Sequence, residues 1–144
     1  MSKRLLAPVP CKHLAAALQL NTERVAFGSN MVELFSHLPE KTPVLIYASL
    51  RTAGEEHLYV PATATFAATF LEWVPPNLRG EHKFPEERPV STRNDTAFRG
   101  FWVVNEFRRL QEKNWVPFSA LKKPGSPAPL TIKYPLGPMI VVEI

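Results

Sequence analysis

Apolar and polar positions along this chain change period several times, and each change marks a boundary between elements. Residues Cys11 to Leu20 carry Leu14, Ala15, Ala17 and Leu18 at helical spacing, with three consecutive alanines, which predicts a helix. A second helix is signalled by Ser29 or Asn30 as N-cap and Glu33 in the first turn, with Met31, Leu34, Phe35 and Leu38 on one face and a stop at Pro39. Val44 to Ala48 is a continuous apolar run after the Glu40 to Pro43 turn, the pattern of a strand buried on both faces.

Beyond Gly54 the period becomes two. From Leu58 to Val74, Ala62, Ala64, Phe66, Ala68 and Phe70 fall on one face, and Thr63, Thr65, Ala67, Thr69, Leu71 and Trp73 on the other. The Ala/Phe face is expected to point inward, with the strand bent around a small barrel. Phe98 to Phe107 predicts a further strand, Lys3 to Val9 an edge strand or extended arm, and Ser119 to Lys123 a short helix. Two last strands are expected at Leu130 to Tyr134 and Met139 to Glu143, joined by Pro135 to Pro138. Between Pro75 and Thr96 all periodicity stops. A loop of that length needs a reason, and Pro75, Pro76, Pro85 and Pro89 stiffen it toward a lid rather than a floppy insertion.

Composition adds limits. The 144 residues make one domain of ordinary size, and 15 prolines are incompatible with a helical bundle. The net charge of +4 is compatible with a polyanionic partner. One cysteine, Cys11, excludes an internal disulfide and points to a reducing, cytoplasmic setting. No apolar stretch reaches the ~18–20 residues of a membrane helix, and Pro8, Pro10, Lys12 and His13 interrupt the amino-terminal run before it forms a signal-peptide core.

The chemical inventory mostly excludes. Asp95 is the only aspartate, and His13, His37, His57 and His82 lack metal-ligand spacing, so no metal is expected. No nucleophile elbow, Walker loop or dinucleotide fingerprint occurs, and no cofactor is expected. Aromatic and amide groups instead gather near strand ends: Tyr47 and Ser49, Trp73, Asn94 beside Asp95, and Trp102. Such groups suit the sandwiching and edge-reading of a planar base. Strict alternation would put Glu72 on the Ala/Phe face, where burial would make it an acid/base candidate; the other reading is an exposed strand end. Arg99, Arg108, Arg109 and Lys113, with Lys122 and Lys123, outnumber Glu106 and Glu112 in the same stretch, the composition of a phosphate-tracking or simply solvated face.

The order of these segments resembles EVE domains of the PUA-like superfamily, to which YTH and ASCH domains also belong. Val44-Leu45-Ile46-Tyr47-Ala48-Ser49 resembles the EVE strand ending in Tyr-His-Ser, with Ala48 in place of the histidine. Val25 to Met31 matches a pocket-lining loop and helix start, without the tryptophan that usually precedes it. Ala64 to Trp73 followed by Val74-Pro75-Pro76 resembles the long strand and its proline loop. Gly100 to Val104, Arg108-Arg109-Leu110 and Val116 to Lys122 are similar to the closing strand and the Leu-x-x-Leu-Lys helix. The resemblance implies an α+β domain over residues 1–144, a small PUA-like β-barrel flanked by short helices, with a Pro-rich extension over 124–144 that has no counterpart. It implies a DNA- or RNA-binding module that takes a modified or unpaired base, lined by Ser29, Asn30, Tyr47 and Ser49; Trp73, Asn94 and Trp102 join them on residue type alone. ASCH relatives suggest a rival, an amidohydrolase of modified nucleosides using a Lys, Thr and Glu set. Lys41, Thr63, Thr65 and Glu72 are available here, but the Gly-x-Lys-Thr-x-Glu-x-Arg arrangement is absent, which favours binding over catalysis. A protein-interaction module using the basic face is the third reading.

Overall fold

A computed structural model describes residues 2–131 and 137–144. The fold is α+β, built mainly from one mixed sheet. Seven strands take the order β2-β6-β5-β3-β1-β9-β8: β2 (Arg24–Ser29), β6 (Gly100–Arg109), β5 (Phe66–Val74), β3 (Pro43–Ala48), β1 (Arg4–Val9), β9 (Met139–Glu143) and β8 (Leu121–Lys122). A two-stranded ladder pairs β4 (Thr63–Ala64) with β7 (Val116–Pro117). Among the described residues only β1 and β3 run parallel, and the chain between them supplies helix α1 (Cys11–Leu18), β2 and helix α2 (Val32–Ser36).

Burial follows the periodicity. Leu5, Ala7 and Val9 of β1, Val25 and Phe27 of β2, Val44, Ile46 and Ala48 of β3, Phe66, Ala68 and Phe70 of β5, and Trp102 and Val104 of β6 share one core with Leu14 and Phe35 of the helices. Alternate residues of the same strands face two smaller clusters, one around Leu6, Leu45, Tyr47 and Phe118, the other around Ala26, Phe101 and Val103. Strands covered on both faces explain the unbroken apolar run at Val44 to Ala48.

Five strands wrapped around one core curl the sheet until Pro8 of β1 and Gly28 of β2 line the same cavities. The sheet nevertheless does not close into the expected barrel: among the described residues, β2 pairs only with β6, and no ladder joins β2 to β1. The β1–β9 ladder runs only over Arg4 to Leu6 against Val141 to Met139. Pro138 follows next, and with no N–H it cannot extend the pairing. The outer edge of Ala7 to Val9 is thereby left beside the end of β2 as a seam.

Several expectations change. β1 is an inner strand, hydrogen-bonded on both sides, rather than an edge or arm. Arg24 to Ser29 is a strand, where sequence showed only a loop and helix start. The segment at 119–123 forms a single 3-10 turn at Phe118–Ala120 followed by β8, because Leu121 is drawn into the sheet against β9. Met139–Glu143 lies between β1 and β8, so the C-terminal residues complete the sheet. The strand expected at Leu130 to Tyr134 lies outside the described residues from position 132 onward, and residues 130 and 131 are not in a strand.

The long strand is also divided. Thr65 separates β4 from β5, and a register shift between Phe70 and Glu72 reverses the alternation. Trp73 therefore packs against the main core with Phe70, whereas Glu72 leaves that face and pairs with Arg24. A second bulge in β6 holds Glu106 at φ +54°.

Candidate functional site

Two small cavities lie side by side at the seam. One, about 170 Å³, is lined by Pro8, Val9, Pro10, His13, Phe27, Gly28, Thr92, Phe98 and Trp102; the other, about 150 Å³, by Ala7, Pro8, Gly28, Ser29, Phe35, Trp102 and Pro138. Together they just reach the ~300 Å³ at which small-ligand sites begin. Larger hollows of about 640 and 510 Å³ lie beside Leu38 to Pro43 and beside Leu18 to Glu23. Neither brings together the aromatic groups that the sequence singles out.

The walls of the seam are aromatic because of how β2 and β6 pair. Phe27 is opposite Trp102 in the ladder, with ring centroids 4.8 Å apart. Phe35 of α2 stacks with both Trp102 and Trp73, each at 5.4 Å and within 12° of parallel. Gly28 is required by close approach: a Cβ there would lie 2.1 Å from the Phe98 ring. Gly100 does the same for Trp73, whose ring would be 2.2 Å from an added Cβ.

The roof over this end of the sheet comes from the 75–99 connection, which is ordered by a chain of polar contacts. Arg24 on β2 reaches Glu72 at 2.7 Å and Glu87 at 3.2 Å, and Glu87 accepts from the fully buried His82 at 3.0 Å. Those carboxylates raise the Arg24 pKa, the hydrogen bond to Glu72 contributing most. Further along, Arg88 is 1% exposed, donates to the Thr92 hydroxyl at 2.8 Å and the Asp95 carbonyl at 3.0 Å, and lies over the Phe101 and Phe98 rings. Burial pulls its pKa down to about 10, against the attraction of Asp95. His13 ties α1 to the same connection through Ser91, at 2.6 Å. Its pKa is lowered by burial first, then by Lys12 and Arg88.

The residues singled out from sequence divide. Ser29 and Trp102 line the seam cavities. Trp73 is one ring away, behind Phe35. Asn30 is engaged across the β2–β6 end, accepting from the Arg99 N–H at 2.9 Å. Ser49 bonds through its backbone to Val9, one strand from the cavities, and Asn94 is exposed on the loop. Tyr47 faces the opposite side of the sheet, edge-on to Phe118, where burial pushes its phenol up to about 12. Along β3 it alternates with Ile46 and Ala48, which face the main core, so the parity of that strand removes it from the seam.

The basic residues divide as well. Arg99 stands before β6 and close to the seam, whereas Arg108 and Arg109 end that strand, roughly 30 Å away at 3.3 Å per residue. Arg108 and Arg109 donate to the carbonyls of Glu106 and His57, and Lys113 lies in the following 3-10 turn. Glu72, 45% exposed and paired with Arg24, is the strand-end carboxylate rather than a buried acid.

Sequence reasoning missed Pro8, His13, Gly28, Thr92 and Phe98. A glycine inside a strand pattern signals a close approach, and Gly28 carried that signal once Arg24 to Ser29 is read as a strand. Thr92 sits in aperiodic sequence, which gives no such sign, and Phe98 is read only as the start of a strand. Among the described residues, no group of three or more His, Cys, Asp and Glu is placed to hold a metal ion. No helix among them is long and apolar enough to cross a membrane. No family model, curated protein or solved structure matches the chain.

Proposed function

We propose that this protein binds a DNA or RNA strand and holds one modified or unpaired base at the seam of a PUA-like barrel left open between β1 and β2. The observation that carries the reading is the pair of cavities sharing Pro8, Gly28 and Trp102, walled by Phe27, Phe35 and Phe98 and edged by His13, Ser29 and Thr92. Aromatic walls favour a planar ring at low entropic cost, and the few polar groups are where its edge would be read. Arg99, at the same end of β6, is the side chain best placed for a flanking phosphate; Arg108, Arg109 and Lys113 would meet a strand only if it ran the length of the sheet.

Catalysis has less support. Glu72, the carboxylate an amidohydrolase would need, is half-exposed and bound to Arg24, and it lines neither seam cavity.

The test is a fluorescence-anisotropy panel of DNA and RNA strands with modified and unmodified bases at low salt. Binding should weaken steeply with added salt, and Arg99→Ala should reduce affinity several-fold where Arg109→Ala has little effect. Absence of binding to every strand at low salt refutes the proposal.

A further inference from the structure

Among the described residues Arg88 is the largest side chain that is fully buried, and no carboxylate lies within ion-pair distance of it. Its Nη1 and Nη2 donate to the Asp95 carbonyl and the Thr92 hydroxyl, and its Nε has no partner. Asp95 attracts Arg88 only from beyond ion-pair distance; a buried guanidinium without a contacting counter-charge is costly, and a fold that keeps one gains whenever an anion arrives nearby.

Thr92 carries that charge to the seam. Its side chain is buried, yet it lines the cavity with Phe98, the ring over which Arg88 lies. A guanidinium only donates, so the Thr92 oxygen must accept from it. The hydroxyl's single proton is then free to be donated, and no acceptor for it is found among the described residues. His13, on the same cavity, experiences Lys12 and Arg88 as like charges, opposed by Asp95. The cavity thus contains a hydroxyl donor polarised by a buried cation.

We infer that the seam pocket selects a ligand with an anionic oxygen, which accepts from Thr92 and supplies the close counter-charge that Arg88 lacks. This rests on the base-reading proposal and narrows it to a strand presenting either an acidic substituent on the base or a terminal phosphate. The aromatic walls hold the ring or sugar to which the anionic group is attached. Charge-assisted hydrogen bonds are the stronger kind, so the preference should be large.

The experiment compares short DNA strands that differ at one point: a central pyrimidine bearing a 5-carboxylate, the same position as the neutral 5-carboxamide, the unmodified base, and the unmodified strand with a 5′-phosphate or a 5′-hydroxyl. The charged member of one pair should bind at least about tenfold tighter than its neutral counterpart, and the pair that does so identifies the source of the anion. Thr92→Val should abolish that difference and Thr92→Ser should retain it. Equal binding of charged and neutral strands by the wild-type protein overturns the inference whether or not Thr92→Val folds, and leaves base reading standing. Failure of every strand to bind overturns both.

Discussion

Gly28→Ala isolates the contact on which the seam is built. The φ of Gly28 lies outside the left-handed region, so alanine meets no backbone penalty there. Fewer unfolded conformations would by themselves stabilise the variant by about 0.4–1 kcal/mol. Against this, the new methyl carbon would sit 2.1–2.4 Å from three atoms of the Phe98 ring. Phe98 cannot swing away freely, since it packs on Phe101 and beneath Arg88. Overpacking of this kind costs about 1–3 kcal/mol, so the net loss should be about 1–2 kcal/mol. For a chain of this size that lowers Tm by about 2–8 °C. Urea denaturation of the wild type, Gly28→Ala, Phe98→Ala and the double variant makes the cycle. With the ring removed, the alanine should lose its cost, giving a coupling of at least about 0.5 kcal/mol. If Gly28→Ala destabilises equally in both backgrounds, the Phe98 contact is not what requires the glycine.

Three other perturbations address separate parts of the molecule. Arg24→Ala leaves the Glu72 and Glu87 carboxylates without their cation, and should cost about 1–3 kcal/mol and speed proteolysis within residues 75–99; unchanged cleavage there would separate loop order from this ion pair. Burial raises the Tyr47 phenol to about 12, so its neutral form stabilises the fold fully below its unfolded pKa of about 10, and that contribution is lost as pH rises through about 12. Tyr47→Phe should flatten the fall in denaturation midpoint above pH ~10, and an identical fall in both proteins would argue against it. Lys41, exposed at φ +71°, should become more favourable as glycine by about 0.5–1 kcal/mol, read as a higher Tm; a lower Tm would mean that its side chain matters more than its backbone.

What could be read in sequence was what depends on local pattern. The helix at Cys11, the buried strand at Val44 to Ala48 and the inward Ala/Phe face of Phe66, Ala68 and Phe70 each repeat a period, and the structure places them accordingly. Strict alternation failed at Glu72 and Trp73 because a bulge is invisible to a period-two count, and one extra residue moved the tryptophan inward and the carboxylate out. Leu121 enters a strand only because β9 comes to it from the end of the chain, a non-local pairing that local propensity cannot report. For the site, Trp102 and Ser29 were identifiable by residue type and position. Tyr47 was misplaced by the parity of one strand, and Thr92 and Arg88 acquire meaning only once the 75–99 connection is folded over Phe101.

The seam has a consequence for time as well as for shape. Elsewhere around the main core, separating two strands means breaking main-chain hydrogen bonds, an opening that occurs on the slow scale of local unfolding. Along Ala7 to Val9 and the end of β2 no ladder joins the two strands among the described residues, so entry requires side-chain rearrangement around the seam rather than the breaking of main-chain pairing. A ligand's association rate would then be set by diffusion and orientation rather than by the stability of the fold, and variants that stabilise or destabilise the sheet should leave that rate nearly constant.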